Sequence, residues 1–225
     1  MSQHWYIDVH THLSDNELDV LSLVSFDYTQ KIHEDQVFSV GSHPWYSSYS
    51  AQIEVLGKKS NCLAIGECGL DKLRGEALHV QLETFKKQIQ VAEQIGKPVI
   101  IHVVKAFDEL FKVHQDFSPT QAWIIHGFNK SEQLATQFLD KGFYLSFGEA
   151  LLKSKSVQDY FAKIPDNQFF LETDDSDISI KKVYEKAAQL KNVSLETLQE
   201  LLSRNFKAVF HQDGEKLVRT RRVID

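Results

Sequence analysis

The chain has 225 residues, 42 % of them hydrophobic, and carries a formal charge of −6 at pH 7. This length suits one core and a single domain, residues 1–225, with no linker, repeat or low-complexity tract to divide it. The acidic balance argues against gripping a polyanion with the surface as a whole, and two cysteines are too few for a disulfide scaffold. No run of about 18 apolar residues offers a membrane span.

The opening residues lack the basic and then apolar pattern of a secretory leader, so the expectation is a reduced, cytoplasmic setting with no membrane association. The first predicted strand, Trp5–Val9, runs into His10 and His12. These stand two apart, so an extended chain projects them the same way. Val20–Phe26 and Val37–Gly41 follow as strands after intervals too short for full helices, and His43 comes just behind the third. Cys62–Gly66 is the fourth strand, with Glu67 after it and Asp71 beyond. Leu78, Leu82, Phe85, Ile89 and Ala92 recur at helical spacing, and Gly96-Lys97-Pro98 stops that helix. Val99–Val103 carries His102 near its end, with Lys105 just past it, and Ala122–His126 ends on a histidine.

Leu134, Ala135, Phe138 and Leu139 predict a further helix, closed by Gly142 ahead of the strand Phe143–Phe147, which holds Ser146. Phe169–Thr173 is the eighth strand and delivers Asp174. Ser194 is placed as the N-cap of a last helix that buries Leu198, Leu201, Leu202, Phe206 and Val209. The tail Arg219-Thr220-Arg221-Arg222 reads as a solvated terminus.

Strands alternating with helical segments imply βαβ units and a parallel sheet, and eight of them imply a compact (β/α)8 TIM-type barrel with shortened first βα units. The C-terminal strand ends of such a barrel share one rim, where active sites are built. His10, His12, Glu67, His102, His126 and Asp174 are all expected on that rim. Imidazole and carboxylate donors together suit zinc, manganese, iron or nickel. The chain has no Gly-x-Ser-x-Gly elbow to supply a serine nucleophile. The expected enzyme is therefore a metal-dependent hydrolase.

Eight segments resemble the TatD-like hydrolases of the amidohydrolase superfamily. They are Asp8-Val9-His10-Thr11-His12-Leu13, Gly41-Ser42-His43-Pro44, Gly66-Glu67-Cys68-Gly69-Leu70-Asp71 and Lys97-Pro98-Val99-Ile100-Ile101-His102. The others are His126-Gly127-Phe128, Gly142-Phe143-Tyr144-Leu145-Ser146-Phe147, Leu171-Glu172-Thr173-Asp174, and Asn205-Phe206 with Phe210. The resemblance implies a barrel with two divalent ions (zinc, manganese, magnesium, nickel or iron). In it His10, His12 and Asp174 hold one ion, His102 and His126 the other, and Glu67 bridges them. It also implies Asp174 and Glu67 as catalytic residues and DNA or another phosphodiester as substrate, with no obligate protein partner. His43, Asp71, Lys105 and Ser146 are the expected substrate contacts.

Two departures stand out. The family's arginine two positions after the strand-five histidine is replaced by Val104, and the family's Ser-Pro after Thr173-Asp174 becomes Asp175-Ser176-Asp177. Both weaken a phosphate grip. They favour the alternative of a dinuclear-metal amide, ester or lactone hydrolase.

Overall fold

A computed structural model describes residues 5–13, 17–214 and 217. Its strands are β1 (Tyr6–Thr11), β2 (Val20–Asp27), β3 (Phe38–Gly41), β4 (Cys62–Asp71), β5 (Val99–Val104), β6 (Trp123–Ile125), β7 (Tyr144–Phe147) and β8 (Phe169–Leu171). The helices are α1 (Gln52–Gly57), α2 (Leu78–Ile95), α3 (Phe107–Phe117), α4 (Glu132–Asp140), α5 (Ala150–Lys153), α6 (Lys155–Phe161), α7 (Ile180–Lys191) and α8 (Leu195–Phe210). The strand order is β1 to β8 in sequence, the order of a (β/α)8 barrel. Among the described residues no helix follows β1 or β2, and the first one, α1, spans six residues. The opening βα units are abbreviated. The basic tail residues Arg219–Arg222 lie outside the described residues.

By packing, the chain divides into two compact units, residues 1–24 with 126–225, and residues 25–125. In the first, β1 pairs in parallel with the start of β2, and β7 pairs with β8. The chain after β8 returns to β1: Asp174 donates its backbone N–H to the His10 carbonyl, and His12 donates to the Asp174 carbonyl, each at 3.0 Å. The buried Tyr184 hydroxyl from α7 meets both backbone groups of Ile7, accepting at 2.9 Å and donating at 3.1 Å. Phe147 packs edge-on against Phe161 at 5.0 Å and Phe128 at 5.9 Å, and Phe161 packs against Phe169 at 5.0 Å. Edge-to-face geometry of this kind adds to the area each ring buries. Serine caps start four helices: Ser131, Ser154, Ser179 and Ser194 each accept a backbone N–H of the first turn.

In the second unit, β3, β4, β5 and β6 pair in parallel. Strand β4 is longer than its apolar run predicts. It continues through Glu67 to Asp71, so Glu67 stands inside the strand, not behind it. His10 and His102 likewise lie within β1 and β5. The reason is the ladder: Gly69 pairs with His102 and Asp71 with Val104, which keeps β4 extended beyond its hydrophobic stretch. Gly69 is needed there, because at φ 145° a Cβ would come within 2.0 Å of the His102 carbonyl oxygen.

Helix α2 also departs from its apolar pattern. Phe85, Ile89 and Ala92 are buried as expected, but the inward face also carries Gln81, Thr84 and Gln88, and Leu78 and Leu82 are only half-buried. The helix ends where Gly96 adopts the left-handed conformation at φ 68°.

Phe147 is fully buried at the centre of the aromatic cluster. Phe147→Ala is expected to lower stability by about 3–5 kcal/mol, read as a shift of the urea unfolding midpoint with an unchanged slope.

Candidate metal centre

In the unit of residues 1–24 and 126–225, the end of β1, the residue after β6 and the turn after β8 bring His10, His126 and Asp174 together. One donor atom from each lies within 4.8 Å of the others. Asp174 Oδ1 is 3.4 Å from His10 Nε2 and 3.6 Å from His12 Nε2, and its Oδ2 is 3.9 Å from His126 Nδ1. His10 is fully buried, whereas Asp174 is half-buried, so the cluster has a dry side and a wet side. Asp174 holds φ at 56°, a conformation that Asp tolerates better than most residues, while its backbone bonds to β1 tie it down on both sides.

Two further carboxylates stand behind these donors. Asp8 accepts from the Thr173 hydroxyl at 2.6 Å and the Thr173 N–H at 3.1 Å. Burial pushes its pKa up to about 7, although both Thr173 bonds and the neighbouring His10 pull the other way. Glu172, fully buried, accepts the Gly127 N–H at 2.5 Å and lies 3.8 Å from His126 Nδ1. Burial raises its pKa as well, opposed by His126 and His10.

In the unit of residues 25–125, His43, Glu67 and His102 form a second group with donor atoms within 4.8 Å of one another. Buried Glu67 Oε1 sits 2.9 Å from His102 Nδ1 and 3.1 Å from His43 Nε2. The other His102 nitrogen, Nε2, is 3.4 Å from Asp71 Oδ2. That oxygen also accepts the Trp45 indole N–H at 2.7 Å, and Asp71 Oδ1 accepts the Leu73 N–H at 2.8 Å. Burial raises the Asp71 pKa, but these donors and His102 outweigh it and hold the carboxyl below its ordinary value.

Two glutamines of α2, two turns apart, fix the loops that carry these groups. Gln88 accepts the Ser42 N–H at 2.7 Å and donates to the Ser42 carbonyl at 3.1 Å, next to His43. Gln81 accepts the Asp71 N–H at 2.7 Å and donates to the Asp71 carbonyl at 2.8 Å.

Both donor sets fit a divalent cation. Each combines imidazole nitrogens with a carboxylate oxygen, the mixture borderline metals prefer. The second set also has a carboxylate on the outer nitrogen of a histidine, Asp71 at His102 Nε2, the arrangement that orients metal-ligating imidazoles, whereas Glu172 faces the same His126 nitrogen, Nδ1, that faces Asp174.

The expected site residues are distributed as follows. His10, His12, His126 and Asp174 meet in one unit, and Glu67 and His102 meet in the other with His43, which was expected only as a substrate contact. Asp71 turns to Trp45 and His102. Lys105 is exposed past β5 with φ 56°. Ser146 is fully buried in β7, where its hydroxyl helps lower the Glu172 pKa. Sequence reasoning missed Asp8, Glu172, Gln81 and Gln88. A signal existed for the first two, since each stands two positions before a ligand candidate and so shares its side of an extended chain. The buried glutamines gave none, because their polarity places them on the solvent side of a helix pattern.

A family model described as TatD related DNase matches residues 18–211, beginning after the His10–His12 pair. YcfH of Escherichia coli (strain K12), described as an uncharacterized metal-dependent hydrolase, is 28 % identical over 204 residues, covering 82 % of this chain and 77 % of its own length. The crystal structure of a TatD family hydrolase from Entamoeba histolytica superposes with a TM-score of 0.76 at 16 % identity, over 93 % of this chain and 99 % of that one. YJJV, a TatD homologue from Escherichia coli K12, gives a TM-score of 0.68 at 20 % identity, over 88 % and 79 %. These likenesses show the (β/α)8 fold.

The placement of Glu172 has a direct consequence. Glu172→Gln keeps the shape and an acceptor for Gly127 but removes the charge behind His126. Manganese or zinc affinity, measured by isothermal titration calorimetry, is expected to fall about 10–100-fold with the circular dichroism spectrum unchanged. An unchanged affinity would remove Glu172 from the metal centre.

Proposed function

The chain belongs to the family of TatD-related DNases and is a metal-dependent hydrolase, and from that membership we propose a dinuclear-metal phosphodiesterase acting on DNA. In this reading, residues 1–225 act as one domain. His10, His12 and Asp174 would hold one divalent ion, His102 and His126 would hold the other, and Glu67 would serve both. Zinc, manganese, magnesium, nickel and iron are the candidate ions. The observation that carries the reading is the clustering of imidazole and carboxylate donors, His10 with His126 and Asp174, and Glu67 with His43 and His102, each with a donor atom from every member within 4.8 Å of the rest.

When bound, two divalent ions lower the pKa of water and stabilise charge on the oxygens of the bond being broken. The chain's own residues do the remainder. Asp174, half-buried beside buried histidines, takes the proton of the attacking water on a carboxylate oxygen and returns it to the leaving oxygen. Glu67 would contribute the negative charge that holds the ions in place. His43, 3.1 Å from Glu67, and the exposed ammonium of Lys105 meet the substrate. Asp71, 3.4 Å from His102 Nε2, and Ser146 complete the proposed substrate contacts.

A second reading keeps the metals and changes the bond to an amide, ester or lactone. The observation in its favour is the strand end at Val104, where the family's arginine is absent, together with exposed Asp175 and Asp177. Neither offers a phosphate anything to pair with.

Metal analysis followed by turnover assays separates the two. Chelator treatment is expected to abolish hydrolysis of single-stranded DNA and bis-p-nitrophenyl phosphate, and manganese or zinc to restore it. Asp174→Asn is expected to lower kcat by about 10²–10⁴-fold, the range of general-base losses. Val104→Arg places a guanidinium fork on the rim, which suits phosphate and adds little for a neutral amide. It should therefore raise kcat/KM on a short single-stranded DNA alone. Strong turnover of a lactone or amide, with no gain on DNA from Val104→Arg, decides for the second reading.

A further inference from the structure

We propose that Trp45 is a specificity-determining residue that stacks an unpaired nucleobase beside the reacting phosphodiester, with Tyr46 extending the same wall. The inference rests on the phosphodiester reading above and adds what the substrate must present next to the phosphate.

The first observation is exposure. Of the three tryptophans, Trp5 and Trp123 are 5 % and 1 % exposed, whereas Trp45 is 37 % exposed. Tyr46 and Leu73 nearby in sequence to its neighbours are 67 % and 69 % exposed. The second is position. The Trp45 ring lies 4.5 Å from the His43 ring and 6.0 Å from the His102 ring, and Tyr46 lies 6.4 Å from His43. The aromatic surface therefore adjoins the His43–Glu67–His102 group.

The third observation is rigidity. The indole N–H is held by Asp71 at 2.7 Å, and the Arg74 guanidinium sits 4.4 Å from the ring centre. The loop after β4 is seated on the same turn: at Gly75, φ 84°, a Cβ would approach the Pro44 carbonyl oxygen to 2.5 Å and the Trp45 Cα to 2.7 Å. An indole serving only the core would be buried, and one that is merely superficial would not be held from several directions. A pre-positioned ring loses little freedom when a partner stacks on it.

The ligand chemistry follows from the surroundings. Every nucleobase offers a flat π-face, and stacking on an aromatic side chain is tolerant of base identity. A base inside a duplex has both faces occupied by its neighbours, so the wall selects an unpaired one. Arg74 and exposed Lys105 supply cations for adjoining phosphates. A small aliphatic lactone or amide has no aromatic face to place on the wall.

The test uses the metal-loaded protein and a phosphorothioate dinucleotide that resists hydrolysis. Tryptophan emission is expected to be quenched by this dinucleotide, unaffected by the abasic analogue carrying the same phosphorothioate, and unquenched in Trp45→Phe, which leaves only Trp5 and Trp123 to emit. In variants, binding of a labelled phosphorothioate tetranucleotide is read by anisotropy. Trp45→Ala is expected to weaken it by about tenfold or more, and Trp45→Phe, which keeps a ring and loses the N–H, by no more than about threefold. If Trp45→Phe loses as much as Trp45→Ala, the indole acts only through Asp71 and the stacking proposal is overturned. The same holds if base-bearing and abasic ligands weaken equally. Where phosphodiesters are hydrolysed but Trp45 substitutions show no base dependence, the functional reading stands and the wall falls. Where no phosphodiester is hydrolysed and a lactone is, both fall.

Discussion

A carboxylate taken out of water must be answered by a proton, a cation or several hydrogen bonds, and the arrangement of this protein's strand ends follows from that constraint. Glu67 is buried within β4, and its Oε1 is met by imidazole nitrogens of His43 and His102. His102 in turn meets Asp71, and Asp71 meets Trp45 and a backbone N–H. Removing any member leaves the next buried polar group unmatched, at a cost of about 1–3 kcal/mol for a neutral group and more for a charged one. In the other unit, Asp8 meets the same requirement through the Thr173 N–H and hydroxyl, whereas Glu172 has only Oε1 on the Gly127 N–H and leaves its buried Oε2 without a hydrogen-bond partner among the described residues.

The scaffold around these acids is correspondingly polar. Gln81 and Gln88 spend a buried helix face on the backbone of Asp71 and Ser42, where leucines would have added hydrophobic area. The exchange is understandable because the N–H and carbonyl of Ser42, just past β3, and of Asp71, the last residue of β4, are met by these side chains and would otherwise be buried without partners. A side-chain amide supplies both a donor and an acceptor and so closes a peptide unit completely. Backbone conformation serves the same end at Asp174 and Lys105, which both hold φ at 56° where a strand gives way to the rim.

Charge on the molecule as a whole works against a polyanionic substrate, since the chain carries a net −6. Local chemistry has to overcome that repulsion. In the proposed function, divalent ions held by the imidazole and carboxylate groups would bring positive charge where Lys105 and Arg74 are exposed cations, and focusing by low-dielectric walls would make it count. The proposed stacking on Trp45 would add attraction that does not depend on charge at all, which gives it a value here that it would not have on a basic protein.

Much was legible in the sequence. The β-branched runs and the helical stripes located all eight strands and the helices α2, α4 and α8, because those signals come from periodic burial that any two-layer α/β packing imposes. The His10–His12 spacing, Glu67, His102, His126 and Asp174 were recognisable by residue type and by the strand ends they adjoin, since donor chemistry is a property of the side chain itself. Tertiary structure alone decided where β4 stops, because that depends on pairing with β5 through Gly69 and not on the hydrophobicity of the segment. It alone put His43 on the Glu67 carboxylate and Asp71 behind His102, since contacts between residues tens of positions apart leave no periodic trace. The inward turn of Gln81 and Gln88 was hidden for a related reason: a polar side chain reads as solvent-facing until the unsatisfied backbone groups it serves are in place beside it.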